Sequence, residues 1–183
     1  MRRVSVVGTS GSGKSTVARE LAARLGVQHV ELDAMHHQPG WVPLPPEEFR
    51  AAAGAKAAAD GWVIDGNYSA VRQLVWARAD TVVWLDLPKH TVMRQIVWRT
   101  LRRVASREEL WNGNQERWRN LFSLDPEESV IVWAWHKHAE YHERYGKAAK
   151  DPANAHLTFV RLAGRKDIAR FLADPLAYSR VSA

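Results

Sequence analysis

The stretch Gly8-Thr9-Ser10-Gly11-Ser12-Gly13-Lys14-Ser15 decides how the rest of this chain is read. It satisfies the spacing G-x-x-x-x-G-K-[ST] at every position. Before it, Val4, Val6 and Val7 form a short apolar strand that ends at Gly8. After it, Ala18, Leu21, Ala22 and Leu25 recur at i, i+3, i+4 and i+7, one apolar helix face, and Gly26 stops that helix. The chemistry of phosphate binding needs these residue types. Glycines let backbone N–H groups turn inward around an anion without Cβ clashes. Lys14 brings a point charge to the β- and γ-phosphates, and the Ser15 hydroxyl suits Mg²⁺. The helix that starts near Gly13 directs its dipole at the same anions. The stretch is therefore expected to bind a nucleoside triphosphate, ATP with Mg²⁺. The expected contacts are Gly8, Thr9, Ser10, Gly11, Ser12, Gly13, Lys14, Ser15 and the adjoining Thr16.

Working outward, four more strands are predicted. Val27 to Leu32 ends at Asp33, Trp62-Val63-Ile64 ends at Asp65-Gly66, Thr81 to Leu85 ends at Asp86, and His156 to Leu162 is the fifth. Helices are predicted from Pro46-Glu47-Glu48 to Ala59, from about Lys89, from Asp125-Pro126 to Tyr145 with Gly146 as the stop, and from Asp167 to Leu172. Pro39, Gly40, Pro43, Pro45 and Pro46 mark an irregular segment, and Trp111-Asn112-Gly113-Asn114 is a polar patch. Short strands alternating with helices imply an α/β fold whose parallel sheet is covered on both faces. Ligands bind at the carboxyl ends of such strands. The P-loop, Asp33, Asp65-Gly66-Asn67 and Asp86 all fall there.

The whole-chain properties agree. A length of 183 residues suits one domain, and 46% apolar with 25% charged residues is ordinary globular composition. The absence of cysteine excludes disulfides, thiolate metal sites and a cysteine nucleophile. The apolar run after Met1-Arg2-Arg3 is too short for a signal peptide, and no run approaches the ~20 residues of a membrane span. A cytoplasmic enzyme is expected. The net charge of +6 fits phosphate-bearing ligands and would also fit nucleic acid. Lys89 to Arg107 holds six basic side chains and no acid. The nine tryptophans are spread along the chain, mostly as core or pocket-wall residues.

Taken together, the P-loop and the other strand-end motifs resemble the adenylate-kinase-like P-loop kinases, closest to the subgroup labelled topology-modulation proteins. The resemblance rests on Leu32-Asp33-Ala34-Met35-His36-His37, Pro39-Gly40-Trp41, Trp62-Val63-Ile64-Asp65-Gly66-Asn67-Tyr68-Ser69 and Trp84-Leu85-Asp86-Leu87-Pro88. It covers roughly residues 2 to 172 in order. It implies a three-layer α/β/α fold with a five-stranded parallel sheet in the order 2-3-1-4-5. It also implies an acceptor-binding segment at about 34–60, an Arg-bearing lid at about 94–124, and adenine near Leu162 to Arg165. True adenylate kinases carry Asp-Gly-Phe-Pro-Arg after strand 3, where this chain has Asp65-Gly66-Asn67-Tyr68-Ser69 and its nearest arginine is Arg72. In the lid helix, Arg99 fits the second of the family's two arginines, but Gln95 stands at the first. These departures argue against AMP as acceptor.

Asp65 and Asp86 both end apolar strands, as a Walker B carboxylate that holds Mg²⁺ through water should. Asp65 is favoured because the Asp-Gly pair leaves the backbone open beside the phosphates. Asp86 suits that role or a helix cap. Asp33 bears on the acceptor, because an alcohol benefits from a carboxylate that takes its proton whereas a phosphate needs only positioning; capping a turn is the other reading. Among Arg94, Arg99, Arg102, Arg103 and Arg107, the pair Arg99 and Arg103 at i, i+4 suits a lid that closes over the γ-phosphoryl group. A solvated basic face is the alternative. His138 and His142 have metal-compatible spacing but lack a third ligand, and His36-His37 with Trp41 suit an acceptor pocket. The leading expectation is a MgATP-dependent transfer to a small-molecule acceptor, either a nucleotide or a hydroxyl compound. The alternative is a nucleotide-dependent regulator associated with DNA topology. Nothing in the sequence fixes the oligomeric state.

Overall fold

The computed structural model describes residues 1–106, 108–115 and 129–180, and gives only the backbone of the last two. Five strands form one parallel sheet: β1 Arg3–Gly8, β2 Gln28–Glu31, β3 Trp62–Asp65, β4 Thr81–Leu85 and β5 Thr158–Leu162. Their order is β2-β3-β1-β4-β5, as the resemblance implies. Seven helices are described: α1 Lys14–Leu25, α2 Leu32–His36, α3 Pro46–Ala57, α4 Ser69–Trp76, α5 Lys89–Ser106, α6 Val130–Ala148 and α7 Arg165–Ala173.

Alternation along the strands divides the core between the two faces of the sheet. Val4, Val6, Val63, Val83 and Leu85 face α1 and α7, where Val17, Leu21 and Phe171 complete one cluster. Val7, Ile64, Val82 and Trp84 face the other way, against Phe49 of α3, Val71 and Val75 of α4, and Tyr141 and Tyr145 of α6. Burial on both faces explains why the strands read as nearly continuous apolar runs. Two indoles in the core have their N–H groups satisfied: Trp62 donates to the Ala57 carbonyl at 3.1 Å and Trp76 to Ser5 Oγ at 3.1 Å. At the amino end of the sheet, Asp80 accepts the amides of Arg2 at 2.8 Å and Arg3 at 2.9 Å and the Thr81 hydroxyl at 2.7 Å. Burial opposes ionisation of that carboxyl, but these bonds prevail and hold its pKa below the ordinary 3.8.

The elements depart from the sequence-based expectation in three places. Strand β2 stops at Glu31, and Leu32 and Asp33 begin a short helix. Helix α4 was not foreseen, although Val71, Leu74 and Val75 carry the i, i+3, i+4 signal. Gly146 does not end α6, which continues to Ala148. Tyr141 and Tyr145 pack there against Trp76 and Trp84, and this burial outweighs the ~1 kcal/mol propensity cost of glycine. The expected start of that helix, Asp125-Pro126, lies outside the described residues. No described helix is long and apolar enough to cross a membrane.

Candidate active site

The P-loop is shaped by three glycines at positive φ. Gly8 (φ 145°) lies so close to β4 that a Cβ would sit 2.6 Å from the Leu85 carbonyl oxygen. Gly11 (φ 83°) rests on α5, where a Cβ would meet Ile96 Cβ at 2.7 Å. Gly13 (φ 92°) starts α1 and faces open space, the side on which a phosphate would approach. Asn67 clamps the loop at its root: its Nδ2 donates to the Gly8 carbonyl at 2.6 Å and its Oδ1 accepts the Gly8 amide at 3.2 Å. The Tyr145 hydroxyl donates to the same Oδ1 at 3.0 Å, tying α6 to the loop. Thr9 and Ser12 are buried, and the Ser12 Oγ has no hydrogen-bond partner among the described residues.

Lys14 lies across the mouth of the loop and donates to the Thr9 carbonyl at 3.2 Å. Burial holds its ammonium below the ordinary 10.5; the Asp33, Asp65 and Glu31 carboxylates counteract this, and the Arg99 charge adds to it. Lys14, Asp33, Asp65 and Arg99 thus share one electrostatic field, so these four sequence candidates are brought together. Asp65 is 1% exposed. Its Oδ1 accepts the Ser15 hydroxyl at 3.3 Å and its Oδ2 lies 2.8 Å from His29 Nε2. Burial pushes the Asp65 carboxyl above its ordinary range, while the His29 bond and the Lys14 charge pull it back.

A hydroxyl and a carboxylate side by side are hard oxygen donors and fit Mg²⁺. No group of three or more His, Cys, Asp or Glu among the described residues could hold a metal by itself. A cation at Ser15 would therefore take most of its ligands from phosphate oxygens and water. Asp86 is engaged elsewhere: Arg161 Nε donates to it at 2.7 Å and His142 Nδ1 lies 2.9 Å from it. It joins β4, β5 and α6 rather than capping α5. His138 Nε2 lies 2.9 Å from the Leu87 carbonyl, so this pair of histidines docks α6 on the end of β4.

Beyond the end of β2, the Tyr68 hydroxyl donates to Asp33 Oδ1 at 2.7 Å and lies 3.3 Å from His37 Nε2. Burial and the neighbouring Asp33 charge push the Tyr68 pKa up, so the hydroxyl stays a donor. His36 packs on Tyr68 and Phe49 with ring centroids 4.6 and 4.9 Å apart. His37 stacks on Trp111 at 5.7 Å and meets Trp41 edge-on at 5.3 Å. Burial lowers the pKa of both histidines below the ordinary 6.5. The polar patch 111–114 docks onto this segment. Asn112 Nδ2 donates to the His37 carbonyl at 2.6 Å, and Asn114 donates to Gln38 O at 2.9 Å and accepts the Trp41 amide at 2.9 Å. Trp41 has φ 63°, a rare conformation for a bulky residue that these bonds hold in place.

Arg99 lies on the inner side of α5. Arg103, one turn on, has its Nε 3.6 Å from Glu108 Oε1. Arg94 is exposed beside Trp98, and Arg107 lies outside the described residues, as do residues 116–124 of the expected lid. Arg165 opens α7 and is exposed. Of the described tryptophans, Trp62, Trp76 and Trp84 are core and Trp41 and Trp111 pack on His37, while Trp98, Trp133 and Trp135 are exposed. Sequence reading singled out Asn67, Tyr68, Asn112 and Asn114 only as motif letters, and His29 not at all. The alternation of β2, which pairs His29 with Val63 and so sets it on the same face of the sheet as Asp65, is the signal that pointed to it.

A family model described as an AAA domain matches residues 4–166. A cytidylate kinase of Pyrobaculum aerophilum is 28% identical in an alignment 147 residues long that covers 67% of this chain and 76% of that one. A shikimate kinase of Aquifex aeolicus superposes with TM-score 0.57 at 15% identity, over 97% of this chain and 96% of the other. A gluconokinase of Sinorhizobium meliloti superposes with TM-score 0.54 at 20% identity, over 99% and 93%. At these identities the two superpositions establish the shared fold.

Proposed function

The chain belongs to the AAA domain family, and from that premise we propose that it is an ATP-dependent phosphotransferase acting on a hydroxyl group of a small molecule. The observation that carries this reading is the setting of Asp33. Its charge acts on the Lys14 ammonium more strongly than any other, and Tyr68 occupies one of its oxygens at 2.7 Å. Its other oxygen remains for the proton of an alcohol. The likeness to a cytidylate kinase supports phosphoryl transfer as the reaction. The motifs around Asp33–Trp41 and Asp65–Tyr68 support the topology-modulation subgroup within it.

In this reading the acceptor oxygen bonds to the γ-phosphorus as the bond from that phosphorus to the β,γ-bridging oxygen breaks. The acceptor proton passes to the free Asp33 oxygen, and ADP leaves with the electron pair of the broken bond. Lys14 and the amides of Gly8 to Thr16 bind the phosphates and offset the charge of the leaving ADP. Ser15 and Asp65, the latter through water, would hold Mg²⁺, which when bound neutralises charge on the β- and γ-oxygens. Asn67 keeps the loop root fixed, and His29 keeps Asp65 turned toward Ser15. Arg99 and Arg103 face the transferring group from α5 and exclude water from it. Arg165 lies beside adenine. Residues 1–183 act as one unit, with the acceptor segment at about 34–60 and the lid at about 94–124. Purified protein with MgATP should release ADP only when one acceptor is present, and Lys14→Ala should abolish that release. ATP loss that no acceptor alters would overturn the reading.

A further inference from the structure

Asp33 is the second residue of α2, a helix of only five residues. A single turn of this kind does not hold itself together, and the carbonyls at its end must find partners outside it. Asn112 Nδ2 donates to Ala34 O at 3.3 Å, Gln38 Nε2 donates to Met35 O at 3.0 Å, and the Leu44 amide donates to His36 O at 2.7 Å. The Asn112 amide also donates to the His37 carbonyl at 2.6 Å. Of these partners Asn112 comes from far along the chain, 78 residues from Ala34. It belongs to the loop 108–115 that follows α5, and that loop is fastened to residues 37–43 at further points. Asn114 Nδ2 donates to Gln38 O at 2.9 Å, its Oδ1 accepts the Trp41 amide at 2.9 Å, and Trp41 Nε1 donates to Gln115 O at 3.3 Å. Each loop is closed by an antiparallel bridge, His37 with Pro43 and Glu109 with Gln115. Trp41 and Asn112 are the two non-glycine residues at positive φ among the described residues, and both stand in this joint. Such backbone conformations persist only where the surroundings impose them, and they collect at functional sites. Helix α5 itself rests on the P-loop through Ile96 and Gly11, with Arg99 in the field of Lys14. The helix and its loop thus touch the phosphate side of the site at one place and the helix of Asp33 at another.

Resting on the phosphotransferase reading above, we propose that Asn112 is a positioning residue for the reaction: it braces the short helix that carries Asp33, so that the carboxylate is aimed only while the loop after α5 is docked. Two paths lead from Asn112 to that carboxylate. One is the backbone of α2. The other is the His37 ring, which lies 3.3 Å from the Tyr68 hydroxyl that holds Asp33 Oδ1. Asn112 acts through these groups and not on the reacting atoms. Its bracing keeps the free Asp33 oxygen on the acceptor hydroxyl, where a misplacement of about 1 Å lowers the rate by about 10²-fold.

The test is a double-mutant cycle on ADP release by the full chain with MgATP. It is run with the acceptor that supports release among the ribonucleosides, their monophosphates, shikimate and gluconate. Asn112 is exposed and has φ 56°, so Asn112→Gly removes the amide and leaves the backbone unstrained. It should lower kcat about tenfold with the KM for ATP within about twofold. Asn112→Asp, which keeps the shape and loses the donors, should do the same. In the Asp33→Asn background, Asn112→Gly should lower kcat by less than about twofold, because the carboxylate it positions is already gone. A fall of about tenfold in both backgrounds overturns this inference alone, since Asn112 would then act apart from Asp33. A kcat that Asn112→Gly leaves unchanged overturns it as well. No release with any compound, while MgATP still binds, removes the phosphotransferase reading itself and this inference with it.

Discussion

The donor edge and the acceptor edge occupy the same end of the sheet and are built by opposite means. Along residues 8–16 the backbone does the work. Gly8, Gly11 and Gly13 hold positive φ within six residues, and two of them pack where a Cβ would collide. Around Asp33 the work is done by side chains drawn from residues 33–41, 68 and 111–115. A site made by local backbone geometry is intolerant of substitution and appears in the sequence as one unbroken motif. A site assembled by distant amides and rings can be altered piece by piece, which suits an edge that must distinguish one acceptor from another.

Lys14→Ala should have the largest effect and acts on the donor edge alone. Removing a preformed charge aimed at the phosphates lowers kcat by about 10³-fold, read as ADP release, with acceptor KM little changed. Asp33→Asn is its counterpart on the acceptor edge. It should lower kcat by about 10²-fold while ATP affinity is preserved, measured by steady-state kinetics and nucleotide titration. Retention of kcat within a few-fold would break the division of labour between the edges.

Gly11→Ala tests backbone intolerance directly. With φ 83° and Ile96 2.7 Å from the new Cβ, it should cost about 2 kcal/mol and lower Tm by about 6 °C. The smallest effect is a control at the far end of the sheet. The Asp80 pKa is depressed, so its stabilisation is present above the ordinary 3.8 and is lost as pH falls through the lower folded value. The Tm advantage of the wild type over Asp80→Asn should therefore be constant near neutrality and vanish in acid, without change in ATP binding. A pH-independent difference would show that the amide bonds to Arg2 and Arg3 do not depend on the charge.

The same contrast explains what sequence reading could reach. The strands and the phosphate loop were legible because apolar runs and glycine spacing are local, whereas the strand order followed from the family resemblance. Asp65 was legible because it ends a strand, Asp33 because it follows one by two residues, and Lys14 because it belongs to the glycine motif after β1. His29 beside Asp65, Asn67 under Gly8 and Asn112 on His37 were not. Each acts across strands or between distant segments: an isolated Asn carries no sign of its partner, and for His29 strand alternation sets only the face it occupies. Gly146 shows the opposite failure: a strong local stop signal lost to the packing of two buried tyrosines.

The contact between Gly11 and Ile96 has a mechanical consequence. Helix α5 is seated on the P-loop at that point, which makes the contact a fulcrum with two unequal arms. Arg99 stands three residues beyond it, about 4.5 Å along the axis, while Ser106 stands about 15 Å out. A swing of roughly 20° about the fulcrum would displace Arg99 by about 1.6 Å and the far end of the helix by about 5 Å. The arm that carries the charge is short and the arm that sweeps is long, so this helix can travel at its tip while Arg99 keeps its place beside Lys14.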